Sequence, residues 1–232
     1  MFTWLGRGVL ILVGLLVVAA IGSSIYLTWA RALSVSSLQA SNEMWDIWFL
    51  SWIGAAVWSR RAVARPAALD QLMHWIPTII GFGLLAFGSA ARIGGGYPWF
   101  GDAPLWRLPE AAGWALAGVC AAGLLFTWWA RLWLGSLWSG SVSRKDHHTV
   151  VQTGPYRLVR HPIYTGLIVA AFAMGIQIGM VANLIGALLM TLGFWLKARL
   201  EERFLSQELG AEAYARYRRH TPMLIPFWPV RG

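Results

Sequence analysis

Apolar residues in this chain come in long unbroken runs, not in the alternation of a half-buried strand. Six runs, roughly 8–30, 44–59, 75–91, 113–136, 163–180 and 182–199, approach the ~20 residues that a bilayer-crossing helix needs. The run at 44–59 is the shortest. Only Gly179–Asn183 separates the last two, which leaves room for a tight helical hairpin and nothing more. Trp29, Trp45, Trp58, Trp75, Trp114, Trp133 and Trp138 fall near run ends, where an aromatic belt would place them. The pattern predicts an all-α fold: a polytopic transmembrane helical bundle of about five to six spans, closing with a C-terminal helical hairpin and a cytoplasmic amphipathic tail helix.

Composition agrees with a membrane protein. The chain is 57% hydrophobic and 12% charged, against roughly 25% charged in soluble domains. Its single cysteine, Cys120, lies inside an apolar run, so disulfides are not expected. The first run follows only Arg7 and lacks a small-residue cleavage site, which reads as a retained span and not a signal peptide. The cations set the orientation. Arg7, then Arg60, Arg61 and Arg65, then Arg144, Lys145, Arg157 and Arg160, then the cluster from Lys197 to Arg231 fall on one side, against Arg31, Arg92 and Arg107 on the other. The positive-inside rule then places both termini in the cytoplasm. A pI near 10.6 suits anionic membrane lipids. With no basic soluble module, nucleic acid is not an expected partner.

Two polar segments interrupt this pattern on the cytoplasmic side. The first is TGPYRLVRHPIYTG, residues 153 to 166. Gly154-Pro155 reads as a turn, and Pro162 belongs at the first turn of a helix, where its missing donor costs nothing. That helix start presents unpaired N–H groups and partial positive charge. Arg157, Arg160 and His161 add donors, and Tyr156 and Tyr164 add flat faces with hydroxyls. The second is KARLEERFLSQELGAEAYARYRRH, residues 197 to 220, where Lys197 and Glu201 share a helical face. The hairpin brings the two together as a pocket with a basic and an acidic wall. Such a pocket suits a ligand with an amino-acid moiety, an aromatic ring and a cationic centre. Each segment has a plainer reading, as arginines reaching to headgroups and as a surface helix laced with ion pairs.

HTVVQTGPYRLVRHPIYTG, EERFLSQELGAEAYARY and the terminal LIPF together resemble the isoprenylcysteine carboxyl methyltransferase family, whose relatives methylate phospholipid amines and small thiols. The resemblance covers about residues 140 to 228. It implies S-adenosyl-L-methionine as cosubstrate with no metal. His148, Thr149, Val150, Val151 and Tyr156 would line its site, His161, Pro162, Ile163 and Tyr164 would close over it, and Glu201 would hold its α-amino group. Lys197 would reach the substrate, and Arg160 would sit at the reacting groups. Glu202 or a histidine could take a proton if the nucleophile were an amine. Residues 140–232 would then form the catalytic and cofactor region, and residues 1–139 a variable transmembrane region that shapes the substrate side. The implied reaction is methyl transfer at the cytoplasmic face to a lipophilic or small acceptor, as O-methylation of an isoprenylcysteine-like carboxylate, or alternatively as methylation of a phospholipid amine or small thiol. Departures from the family pattern are Val150 for leucine, His220 for arginine and Thr221 for valine; either Arg218 or Arg219 compensates for the lost arginine, or the substrate differs.

Other signals are weaker. GFGLLA at 81–86 fits a dinucleotide-binding spacing but sits in an apolar run without a preceding strand, so small-residue helix packing accounts for it better. Asp146, His147 and His148 are adjacent in sequence, unlike ligands spaced along a helix. Arg131 reads as a snorkelling cation and His74 as interfacial. A transporter or channel would need ionisable groups in mid-span, and a haem protein would need histidines deep in facing spans.

Overall fold

The computed structural model describes residues 36–55, 62–64, 66–94, 104–135, 138, 144–145, 151–209 and 211–229. The expected span at 8–30 and the site residues His148, Thr149 and Val150 lie outside them. Among the described residues the apolar runs form helices α1 (Ser37–Ala55), α2 (Ala68–Gly94), α3 (Glu110–Leu134), α4 (Pro162–Ile178) and α5 (Val181–Leu209), followed by the short polar α6 (Ala211–His220). Leu69–Ser89, Glu110–Leu134 and Val181–Gln207 are long and apolar enough to cross a membrane, and Pro162–Ile178 is a shorter apolar helix. A helical bundle is the fold expected from the runs.

Several boundaries differ from the apolar runs, for local reasons. α2 starts at Ala68, where Asp70 in its first turn suits the positive end of the helix dipole, and it runs through Pro77. α5 continues through Leu209, so Lys197, Glu201 and Glu202 stand on the same rod as the apolar residues before them. α1 is a 19-residue helix over the described residues but is not among the three long apolar helices. The sequence pattern also missed a two-stranded antiparallel ribbon, β1 (Ala62–Ala64) with β2 (Arg144–Lys145). It ties the loop after α1 to the loop after α3.

α2 packs along α5 and α3 along α4, while α4 and α5 form the hairpin. Gly179 caps α4 at φ 75°, a left-handed conformation that a side chain resists, and α5 begins two residues later. The crossings are close. A Cβ at Gly123 would stand 2.7 Å from the Gly166 carbonyl oxygen, and one at Gly186 would stand 2.8 Å from that of Gly81. The first glycine of GFGLLA, Gly81, therefore serves helix packing, while a Cβ at Gly83 would meet nothing within 4 Å. Between α1, α2 and α3, Trp45, Trp48, Trp52, Trp128 and Phe82 meet ring to ring, with centroids 4.7–5.7 Å apart. Trp48 Nε1 donates to Thr127 Oγ1 at 2.6 Å, so the indole dipole is satisfied inside this cluster.

One expectation is corrected here. Arg131 does not snorkel: it is 1% exposed, its Nη1 donates to Gly135 O and its Nη2 to Ala55 O, both at 2.6 Å, and its guanidinium lies 4.4 Å from the Trp138 ring. It joins the carbonyl ends of α1 and α3, where a cation complements two helix dipoles. His74, near the start of the Leu69–Ser89 span, is 1% exposed and packed against α5.

Candidate functional site

Where α4 leaves the turn Gly154–Arg157, the peptide N–H groups of Arg160 and His161 donate to Pro222 O at 2.8 Å and Met223 O at 3.1 Å. Thr165 Oγ1 donates to Leu224 O at 2.6 Å. The chain after α6 thus lies as a strap across the mouth of the α4–α5 hairpin, and its carbonyls take donors that a helix start leaves unpaired. Pro162 occupies the first turn, as its fixed φ and missing donor require.

Two adjacent glutamates on α5 face this mouth in different ways. Glu202 is buried and fully engaged: Arg160 grips it as a fork, Nε to Oε1 at 2.7 Å and Nη2 to Oε2 at 3.3 Å, His161 Nε2 is 3.1 Å from Oε1, and Arg218 Nε is 3.5 Å from Oε2. Arg160 Nη1 also donates to Thr221 O and, at 3.2 Å, to Arg218 O. A paired and hydrogen-bonded carboxylate of this kind is an anchor for the strap. Glu201 keeps 31% of its side chain exposed. Its Oε2 accepts from Tyr164 Oη at 2.7 Å and lies 3.7 Å from His161 Nδ1.

Tyr164 is the centre of a stack. Its ring is nearly parallel to His161 on one side, at 5.3 Å and 8°, and to Phe194 on the other, at 5.4 Å and 10°. One turn before Glu201, Lys197 is buried with its Nζ 5.2 Å from the Tyr164 ring centroid and 5.5 Å from that of Trp75. Tyr217 Oη donates to Tyr156 O at 2.5 Å and fastens α6 to the turn before α4. Burial pushes the Tyr156, Tyr214 and Tyr217 hydroxyls above the ordinary phenol range.

Of the residues singled out in the sequence, Arg160, His161, Tyr164, Lys197, Glu201 and Glu202 meet in one place. Pro162 and Ile163 are buried at the helix start, Val151 is half-buried against the core, and the Tyr156 ring is buried with its hydroxyl 3.5 Å from Ala130 O. Arg157 is exposed and does not join the group. The departures in the tail are accommodated: Thr221 is buried and supplies its carbonyl to Arg160, Arg218 reaches Glu202, and His220 and Arg219 point to solvent. Sequence reasoning missed Phe194, Trp75 and the strap carbonyls. Phe194 had a signal, since it precedes Glu201 by two helical turns, but the carbonyls had none.

An apolar helical bundle that carries a polar, ion-paired cluster at the end of a hairpin defines a helical membrane protein. Residues 115–207 match the family model described as the isoprenylcysteine carboxyl methyltransferase (ICMT) family, and the chain is ICMT-like over that stretch. It is 31% identical over 90 residues to protein-S-isoprenylcysteine O-methyltransferase B of Arabidopsis thaliana, covering 37% of this chain and 44% of that one. It is 32% identical over 97 residues to the cobalt-zinc-cadmium resistance protein CzcN of Cupriavidus metallidurans, covering 41% and 42%. It is 40% identical over 72 residues to methanethiol S-methyltransferase of Crocosphaera subtropica, covering 31% and 27%. The chain thus spans less than half the length of these relatives.

Proposed function

We propose that this protein is a membrane methyltransferase that uses S-adenosyl-L-methionine at the cytoplasmic face, with both termini on that side. The observation that carries this reading is the Tyr164–Glu201 hydrogen bond. It leaves a partly exposed carboxylate beside a stack of flat rings, at the site where the matched family residues converge. A carboxylate and aromatic faces suit the amino group and the cationic, ring-bearing body of that cosubstrate. When bound, it would supply an electrophilic methyl group. Glu201 would hold its α-amino group, with Val151, Tyr156 and the His161–Tyr164 run around it, and with His148, Thr149 and Val150 contributed from the segment before.

The chain's own part is to bind, align and dry the site. Methyl transfer needs reacting atoms held about 3–3.5 Å apart in line, with water excluded. The strap across the hairpin mouth would provide the exclusion. Arg160 and Glu202 hold one another and the strap, so in this reading they position the site, and Glu202 is not a base for an amine. Lys197, buried one turn toward the apolar core, would face the acceptor. A lipophilic acceptor such as an isoprenylcysteine-like carboxylate would enter from the bilayer. The match to a methanethiol S-methyltransferase favours a small thiol as the second reading.

The test is cosubstrate binding to purified protein in lipid nanodiscs, comparing wild type with Glu201→Ala and Tyr164→Ala. Saturable binding that both substitutions weaken is the expected result. Absence of binding by folded wild type would sink the methyltransferase reading.

A further inference from the structure

His74 is 1% exposed, and its Nε2 is buried with no hydrogen-bond partner. An orphaned polar atom on a span-forming helix is costly and asks for an explanation. Its surroundings supply one. The His74 carbonyl packs onto Gly193 of α5, 2.9 Å from where a Cβ would stand, so the histidine sits at the depth just below Lys197. Trp75 links the two: its ring lies 5.3 Å from the His74 imidazole and 5.5 Å from the Lys197 ammonium. Lys197 in turn lies over Tyr164, whose hydroxyl binds Glu201. A chain of contacts therefore runs from Glu201 through Tyr164 and Lys197 to Trp75 and His74, across α5, α4 and α2.

We infer that His74 is an acceptor-binding residue: its Nε2 and the Lys197 Nζ form a paired seat for the acidic head, carboxylate or thiolate, of the molecule to be methylated. This rests on the methyltransferase reading and assigns a role to the α2 wall, which lies outside the matched residues 115–207. A neutral imidazole can present an Nε2–H donor without adding a second charge beside the buried ammonium. An acidic oxygen or sulfur accepts from both groups, whereas a protonated amine would meet the lysine's like charge. The seat therefore selects the acceptor by its acid head, while the Trp75 ring and the apolar helix faces take its tail.

The experiment uses the full chain in nanodiscs with three probe acceptors: an S-prenylated N-acetylcysteine, an alkanethiol and a phosphatidylethanolamine. Wild type is compared with His74→Phe, which keeps a ring against Trp75, His74→Leu, and His74→Gln, which restores a donor. Cosubstrate affinity is measured on every variant as a separate readout. The expected result is an acidic probe as the best acceptor, its KM raised about tenfold in the Phe and Leu variants. The Gln variant should recover most of the loss, with kcat and cosubstrate affinity within about twofold throughout. Two non-polar variants are used so that one can decide if the other misfolds. Preference for the amine, or an unchanged KM in a folded non-polar variant that still binds cosubstrate, overturns the inference and leaves the methyltransferase reading standing. Failure of wild type to bind cosubstrate overturns both.

Discussion

Glu201 and Glu202 are identical side chains one residue apart, and the structure gives them opposite duties. A helix turns about 100° per residue, so Glu202 points into the Arg160–His161–Arg218 cage and Glu201 toward the Tyr164 hydroxyl and open space. Their effects on substitution should separate. Glu202→Gln leaves the 7%-exposed Arg160 short of its counter-charge, and breaking a buried pair costs about 3–5 kcal/mol. A clear fall in the thermal midpoint in detergent is expected; a midpoint within a degree of wild type would show that the pair does not hold the strap. Glu201→Gln should leave the midpoint nearly unchanged and weaken cosubstrate binding at least tenfold, read by titration calorimetry. The cluster was legible in the sequence as residue types. Which glutamate is caged was not, because that depends on the rotation of α5 against α4 and on a tail segment more than fifteen residues further on.

At the scale of elements, two crossings made without side chains hold the frame. Gly123 on α3 and Gly166 on α4 bring backbone against backbone, and Gly81 on α2 and Gly186 on α5 do the same. Lipid tails are as apolar as leucine, so close van der Waals contact does the work that water-driven burial does in soluble proteins. Gly166→Leu would drive its side chain into the Gly123 carbonyl and Thr127, whose hydroxyl serves Trp48. Overpacking of this kind costs about 1–3 kcal/mol or more. The predicted outcome is a lowered midpoint and a changed tryptophan fluorescence spectrum, whereas the same change at Gly118, where a Cβ meets nothing within 4 Å, should be tolerated. The apolar runs made these helices visible, but not which glycines pair, since only the crossing selects them.

For the whole molecule, the strap Thr221–Leu224 couples the far C-terminal segment to the start of α4 through Arg160, His161 and Thr165. Truncation after His220 should remove those carbonyl partners, free the mouth of the hairpin and abolish cosubstrate binding. The helical content seen by circular dichroism should fall little, because the strap itself is not helical. Orientation is testable on the same footing. On the proposed orientation, a cysteine at exposed Arg219 should label from the cytoplasmic side alone and one at exposed Leu105 from the opposite side alone. Labelling of both from one side would overturn the topology.

The sequence alone determined the class of fold, the hairpin, the proline-initiated α4 and the two polar segments that meet at its mouth. These follow from hydrophobic run length, from the fixed φ of proline and from the short Gly179–Asn183 link, all of which are local properties of the chain. Tertiary structure alone decided that Arg131 is buried between two helix ends, that His74 faces α5 beside Lys197, that Arg157 turns outward, and that backbone carbonyls after α6 complete the site. Those outcomes depend on helix rotation and crossing distance, and on main-chain groups that every residue carries alike and no sequence pattern distinguishes.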